Sequence, residues 1–249
     1  MVNLMRKKIL AIVEGEKKEP EILRRVLDIS GLKQREIVSY KSNIYDLYDK
    51  LYSEYGDTID EVDIQEFLKE IHPDPESQAI LDENYTDILL IFDFDPQDNR
   101  YSSDKLVRLL DIFSESTQMG RLYINYPMVE SFYHFRSLED DSFLKEMFTL
   151  KEISPGSIYK ERVNNLTCIH QLRDVSKKEL AYMIRLILKK VNQICEREYK
   201  AGELVDALQD VADCQIQRLS AQQSMYVLNT CILYVYEYNP RMLDWLDYK

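Results

Sequence analysis

Asp93 and Asp95 stand at the end of an uninterrupted apolar run, Ile88 to Phe92, and Pro96 follows them directly. A run of that length with turn formers behind it reads as a parallel strand buried on both faces. Side chains at i and i+2 of a strand point the same way, roughly 7 Å apart. The spacing therefore predicts two carboxylates on one side of the strand's C-terminal end, where open α/β sheets bind ligands. Nothing beside them in sequence carries a neutralising charge. A divalent cation relieves such repulsion, and an oxygen-only donor set favours magnesium or manganese over zinc. Glu14 follows the run Lys7–Val13, and Glu130 lies just beyond Arg121–Asn125. In a parallel sheet these strand ends share one edge, so Glu14, Asp93, Asp95 and Glu130 are expected to converge.

The elements that must position these acids follow from periodicity. Lys7–Val13 reads as a first strand ending at Glu14-Gly15, and Glu21–Ile29 has Ile22, Leu23, Val26 and Leu27 at helical spacing, with Pro20 in the first turn and Gly31 as the stop. Glu36–Tyr40 is a short second strand, and Ile44, Leu47, Tyr48, Leu51 and Tyr55 mark a helix. Thr58–Ile71 reads as an acidic helix closed by His72-Pro73-Asp74-Pro75, an insertion over about residues 57–80. Ser103–Phe113 is the helix after the central strand. Arg121–Asn125 is the fourth strand, leading into a helix from Met128 to about Phe135. Alternating β and α elements predict an α/β fold, a Rossmann-like parallel sheet flanked by helices, over residues 1–150. Past about Ser154-Pro155-Gly156 the pattern changes. Ser176 and Glu179 form a capping box opening a helix with Leu180, Met183, Ile184, Ile187, Leu188, Val191 and Ile194 on one face. Two further helices, about Glu203–Leu219 and Ala221–Tyr238, make residues 151–249 an all-helical C-terminal region in this reading, suited to dimerisation or partner docking.

Composition narrows the function classes. The 249 residues carry a formal charge of −12, with lysine and arginine scattered rather than massed. That excludes a protein that coats DNA through a broad basic surface, but not a phosphate substrate bridged by a metal. The four cysteines, Cys168, Cys195, Cys214 and Cys231, form no C-x-x-C pair, and three histidines supply no zinc-cluster spacing. They read as buried thiols of a reducing, cytoplasmic compartment. With six glycines the chain has neither a P-loop nor a G-x-G-x-x-G cradle, so any ATP dependence falls to another subunit. No signal-peptide pattern or apolar run near about 18 residues is seen, and no membrane association is expected. Glu16, Glu19 and the acids of Asp57–Glu70 read as solvated faces; His134 reads either as a base reaching the site or as a packed side chain.

The strand IVEG ending in Glu14-Gly15 and the strand IFDFD bearing Asp93-x-Asp95 together resemble the TOPRIM family over about residues 7–136. VEGEKKEP at Val13–Pro20 and YPMVESF at Tyr126–Phe132 are similar, more narrowly, to the RloB-like and AriB-like effectors of bacterial antiphage systems. These are relatives of overcoming-lysogenisation nucleases that work beside a separate ABC- or SMC-like ATPase. The resemblance implies a magnesium- or manganese-dependent nuclease acting on tRNA or DNA, the toxic effector of an abortive-infection defence, with an ATPase partner and a homodimeric state. It implies that Glu14 is a metal ligand or general acid/base, that Asp93 and Asp95 are metal ligands, and that Glu130 is a further catalytic acid. Lys17 and Lys18, beside Glu14, would steady the charge of the transition state. The chain departs from the family at Pro96-Gln97-Asp98, where Asp98 is either one more ligand or a turn former.

Two other classes fit parts of the pattern. A haloacid-dehalogenase-like phosphatase also ends a strand in D-x-D, with the first aspartate as nucleophile, but that motif sits near the N-terminus and continues Gly-Thr. Glu14 would then be dispensable. A non-catalytic sensor or binding module with a degenerate site is the remaining class.

Overall fold

Ile9–Val13 holds no charged residue and is buried at every position, as a strand enclosed by helices on both faces requires. It is strand β1 of the computed structural model, which describes residues 7–117, 119–153 and 158–246. The chain continues through α1 (Lys18–Ile29), β2 (Arg35–Ser39), α2 (Ile44–Tyr55), α3 (Ile64–Ile71), α4 (Pro75–Leu81), β3 (Asp87–Asp93), α5 (Ser103–Ile112), β4 (Ser114–Glu115) and β5 (Gly120–Tyr126). Then come β6 (Met147–Thr149), α6 (Leu150–Ile153), α7 (Ile158–Leu166), α8 (Lys177–Ile194), α9 (Leu204–Gln222), β7 (Ser224–Tyr226), β8 (Leu228–Asn229) and α10 (Leu233–Tyr238). The protein is α/β: β2-β1-β3-β5 run parallel, in that order. β4 and β8 both pair antiparallel with β5, β4 near its start and β8 near its end, so the outer edge of β5 is covered twice. Gly120 opens β5 at φ +104°, and a Cβ there would lie 2.5 Å from Leu90 Cδ1, so the strand's start needs a residue without a side chain.

Three sequence expectations need correction. Thr58–Ile71 is not one helix: a 3-10 turn spans Gly56–Glu61, and α3 restarts at Asp63, whose Oδ1 accepts from the amides of Gln65 and Glu66. Asp74 caps α4 in the same way through Ser77, so a cap at each start divides the segment. Its residues Ile59, Val62, Ile64, Phe67 and Leu68 belong to the main core. The segment after Met128 is a 3-10 turn, Val129–Tyr133, with Val129, Glu130, Ser131 and Phe132 all buried, a pattern that leaves no solvated helix face.

The third correction concerns the C-terminal region, which is helical in part but not throughout. α9 stops where Gln223 takes a left-handed conformation, φ +54°. Ser224–Tyr226 then pairs with β6 and Leu228–Asn229 with β5. Gln215 holds the first strand by both groups of its amide, donating to Tyr226 O at 2.9 Å and accepting from Tyr226 N at 2.9 Å. Thr230 Oγ1 accepts from Ile124 N and donates to Ile124 O, each at 2.8 Å, so a hydroxyl extends the ladder beside β5. The capping box of α8 is present, and its apolar face lies in the same hydrophobic cluster as the sheet. The pattern change expected near Ser154-Pro155-Gly156 falls outside the described residues. Among the described residues, no helix is long and apolar enough to cross a membrane. Cys231 is buried as expected of a free thiol, whereas Cys168 is exposed on the loop after α7.

Candidate active site

The C-terminal edge of the parallel sheet is where β1 and β3 release their acids. Glu14 remains tied to the sheet by its backbone, donating to Ile91 O at 3.2 Å and accepting from Lys41 N at 3.0 Å. Its side chain turns toward the neighbouring strand, and Oε2 accepts from Asp93 N at 3.1 Å. Burial, then the nearby Asp95 carboxylate, pushes the Glu14 carboxyl up to about 8 despite that hydrogen bond. Asp93 closes β3 and is buried; burial, Glu14 and Asp95 hold its carboxyl well above the usual range. Its Oδ1 accepts from Asn125 Nδ2 at 3.0 Å, across the β3–β5 pair. Asn125 in turn accepts from Asn229 Nδ2 at 2.8 Å, and Cys231 Sγ donates to Asn229 Oδ1 at 3.0 Å. A buried polar chain from the C-terminal region thus fixes the orientation of Asp93.

Asp95 does not continue the strand. Its φ is +41°, a left-handed conformation that aspartate tolerates better than most residues, so the two side chains are not related by the strand pleat. The turn is held firmly: Phe94 N donates to both Asn125 O at 3.0 Å and Pro127 O at 3.1 Å, while Tyr45 OH donates to Phe94 O at 2.5 Å. Burial raises the Asp95 carboxyl, against a hydrogen bond from Gln97 Nε2 at 3.0 Å to Oδ1. The Asp95 charge adds to burial in raising the carboxyls of Glu14 and Asp93. Among the described residues, no lysine or arginine forms an ion pair with Glu14, Asp93 or Asp95; the cations nearest this edge bind elsewhere.

Asp98 is engaged in a different way. Oδ1 accepts from Arg100 N at 2.8 Å and Arg100 Nε at 3.1 Å, and Oδ2 accepts from Asn43 Nδ2 at 2.5 Å. Arg100 and these bonds hold its carboxyl below the usual range. Both oxygens are thus hydrogen-bonded, and Asp98 braces the turn after β3.

Glu130 is buried beneath two lysines: Lys18 Nζ lies 2.8 Å and Lys160 Nζ 3.5 Å from Oε1. Oε2 is buried without a hydrogen-bond partner. Lys17 is exposed. Glu19 corrects the expectation of a solvated face. It is 8 % exposed, its carboxyl raised by burial first, and it lies among the charges of Glu130, Lys18 and Lys160. A Cβ on Gly15 would come within 2.6 Å of Glu19 Oε2, so Gly15 is the residue that lets this carboxylate fold over the loop. Sequence reasoning also passed over Lys160, Asn125 and Asn229. Nothing local marks them, since each meets the site only through tertiary packing. His134 is fully buried, hydrogen-bonded through Nδ1 to Tyr159 OH at 3.0 Å and through Nε2 to Glu146 at 3.1 Å. Of its two readings, the packed one describes this placement.

The donor set at the edge suits a hard cation in chemistry: oxygen only, partly desolvated and lacking a partner cation. As they stand, no three acidic, histidine or cysteine side chains among the described residues are grouped to hold a metal ion. Magnesium commonly needs only one or two carboxylates, its other positions being filled by water and substrate phosphate, so Asp93 with Glu14 or Asp95 would meet that demand. No protein-family profile matches this chain, and no similar curated protein or solved structure is found.

Proposed function

We propose that the chain is a magnesium- or manganese-dependent phosphodiesterase acting on nucleic acid, a TOPRIM-like nuclease. The observation that supports this reading most is the trio Glu14, Asp93 and Asp95: three carboxylates at the ligand-binding edge of a parallel sheet, each raised first by burial, Glu14 and Asp93 also by the Asp95 charge, and none with an ion-pair partner among the described residues. A protein that gained nothing from such an arrangement would lose stability by keeping it. Asp93 and Asp95 would hold the cation, whose contribution is Lewis acidity and a more acidic bound water. Glu14, raised toward neutrality, is suited to exchange a proton with the attacking or leaving oxygen. Asn125 keeps Asp93 turned toward the edge. Lys18, held over Glu130, and the exposed Lys17 would meet the phosphate.

The role of antiphage effector, the ATPase partner and the homodimer extend this proposal. They rest on the VEGEKKEP and YPMVESF stretches. The net charge of −12 is consistent with a helper that brings nucleic acid to the site. A cleavage assay tests the core of it: plasmid DNA and total tRNA with magnesium or manganese, with and without EDTA, using the wild type, Asp93→Asn and Glu14→Gln. Metal-dependent cleavage lost in both variants supports the nuclease. Phosphatase activity that survives Glu14→Gln moves the protein to the dehalogenase-like class. One observation favours the non-catalytic module, namely that no three-ligand group stands assembled among the described residues. Calorimetric titration decides that point, because a binding module takes up no magnesium at millimolar concentration.

A further inference from the structure

Beside the acidic edge runs an open groove of about 500 Å³ between the loop that starts α1 and the stretch from α7 to Leu172. Lys17 and Lys18, which follow closely after Glu14 in the chain, and Glu130 are among its lining residues, and these link the groove to the proposed chemistry. Its other walls include Tyr133, Asn164, Thr167 and His170, contributed by the segment after β5 and by the C-terminal part of the chain. We infer that this groove seats an unpaired nucleotide of a single-stranded nucleic acid next to the acidic edge. The inference rests on the nuclease reading for its direction, but not for its test.

Three features carry it. The volume falls in the ordinary range of small-ligand clefts, enough for about one nucleotide and far too little for a duplex. The lining combines two lysines with two flat side chains, Tyr133 and His170, and the amide of Asn164. That is the combination by which single strands are held: phosphate to lysine, base to ring, and a hydrogen bond to the base edge. Charge points the same way. Glu21 and Glu130 also line the groove, and Lys18 already pairs with Glu130, so the two lysines and two glutamates of the lining cancel and Lys17 is left as the cation for a phosphate. Duplex binding relies on many phosphate contacts, and a chain at −12 with only two lysines in the groove cannot offer them. Stacking and base-edge contacts in a narrow groove do not require that surface.

Fluorescence anisotropy with labelled eight-nucleotide single-stranded DNA and RNA, and with a blunt DNA hairpin of about twenty base pairs closed by a short loop as the duplex competitor, tests the inference on the full chain. EDTA and low salt remove metal and cleavage from the measurement. The single strand is expected to bind, and the duplex to compete at least about tenfold less well. Asn164 and His170 are exposed, so Asn164→Glu and His170→Glu leave the core intact; each should weaken binding about fivefold or more, and His170→Trp should hold or strengthen it. Equal competition by the duplex, no binding, or wild-type affinity in both glutamate variants would overturn the groove. The two readings separate cleanly. Groove-sensitive binding without metal-dependent cleavage retains the groove and retires the nuclease. Cleavage by a protein whose groove variants bind and cut like the wild type does the reverse.

Discussion

Two places in this molecule bury acids, and they treat them in opposite ways. Behind the sheet edge, Glu146 accepts from Arg136 Nε at 2.9 Å, from His134 Nε2 at 3.1 Å and from Arg162, and Arg162 also reaches Glu152 at 2.8 Å. Lys190, fully buried, donates to the carbonyls of Phe143 at 2.8 Å and Glu146 at 2.7 Å. The hydrogen bond from His134, with the two arginines, pulls the Glu146 carboxyl down to about 2. At the sheet edge the Glu14 carboxyl is pushed up to about 8 instead. The first cluster satisfies its charges internally and ties α7, α8 and the turn before β6 together. The second has hydrogen bonds from Asp93 N, Asn125 and Gln97 but no ion-pair partner among the described residues. Burial of an acid therefore carries no functional meaning alone; its lack of a partner does.

The strongest way to break this contrast is to remove one acid from each place. Glu14→Gln should reduce cleavage about 10²- to 10⁴-fold, the scale of a lost general acid or base, while leaving the melting temperature unchanged or higher. Glu146→Ala should leave the buried His134 without its acceptor and Arg162 with Glu152 alone, and destabilise the fold by about 1–3 kcal/mol, measured by urea denaturation. If Glu14→Gln unfolded the protein and Glu146→Ala did not, the assignment of roles would be reversed.

Magnesium should act on one place only. A cation that binds the folded state stabilises it by mass action, by about 2.7 kcal/mol at a concentration a hundred times its dissociation constant. Differential scanning fluorimetry should show this rise in the wild type and in Glu146→Gln but not in Asp93→Asn. A rise of equal size in Asp93→Asn would place the ion elsewhere.

The two clusters should also respond oppositely to pH. Glu14 is raised in the folded state, so its contribution to stability is complete below its ordinary value of 4.5 and disappears as pH rises through about 8. Glu146 is lowered, so its contribution is complete above 4.5 and disappears as pH falls through about 2. Without metal, the melting temperature should decline from pH 5 to pH 8.5, with a flatter slope in Glu14→Gln. The acid limb below pH 4.5 should be unchanged in that variant and altered in Glu146→Gln. A single slope shared by both variants would show that neither group governs it.

How much of this was readable beforehand depended on how local the cause was. The buried parallel strands are legible as apolar runs, and the positions of Glu14 and Asp93 at the sheet edge are legible because a strand's end fixes where its acids emerge. Ser176 and Glu179 made a capping box because both halves of it lie within one turn. Ser224–Asn229 read as helix because its apolar residues suit either period, and its strands exist only through pairing with Met147–Thr149 and with Asn125-Tyr126. Glu19 reads as solvent-exposed for a similar reason: its cover comes from Gly15, whose missing side chain makes room, and from tertiary neighbours. A double-mutant cycle checks that pair. Gly15→Ala and Glu19→Ala should couple by about 0.5–3 kcal/mol in stability, because the added methyl displaces a carboxylate that the second change removes.

Asp98 yields the smallest expected effect and the sharpest test of the principle. It stands next to the acidic trio, and its charge contributes to the raised carboxyl of Glu14, so proximity alone would count it among the metal ligands. Its partners argue otherwise. Arg100 and Asn43, the latter 55 positions earlier in the chain, occupy both of its oxygens. Asn43 is at the same time the N-cap of α2, accepting from Asp46 N at 3.0 Å, so the bond joins the turn after β3 to the start of that helix. Asp98→Asn keeps the shape and removes the charge. It should change cleavage by less than about tenfold and lower stability by about 1 kcal/mol, the value of a hydrogen bond to a charged group partly retained. Loss of a ligand would instead reduce cleavage about 10²-fold or more, as when a preorganised electrostatic contact is removed. A loss of that size, with the fold intact by circular dichroism, would move Asp98 into the group whose charges are left for an outside cation.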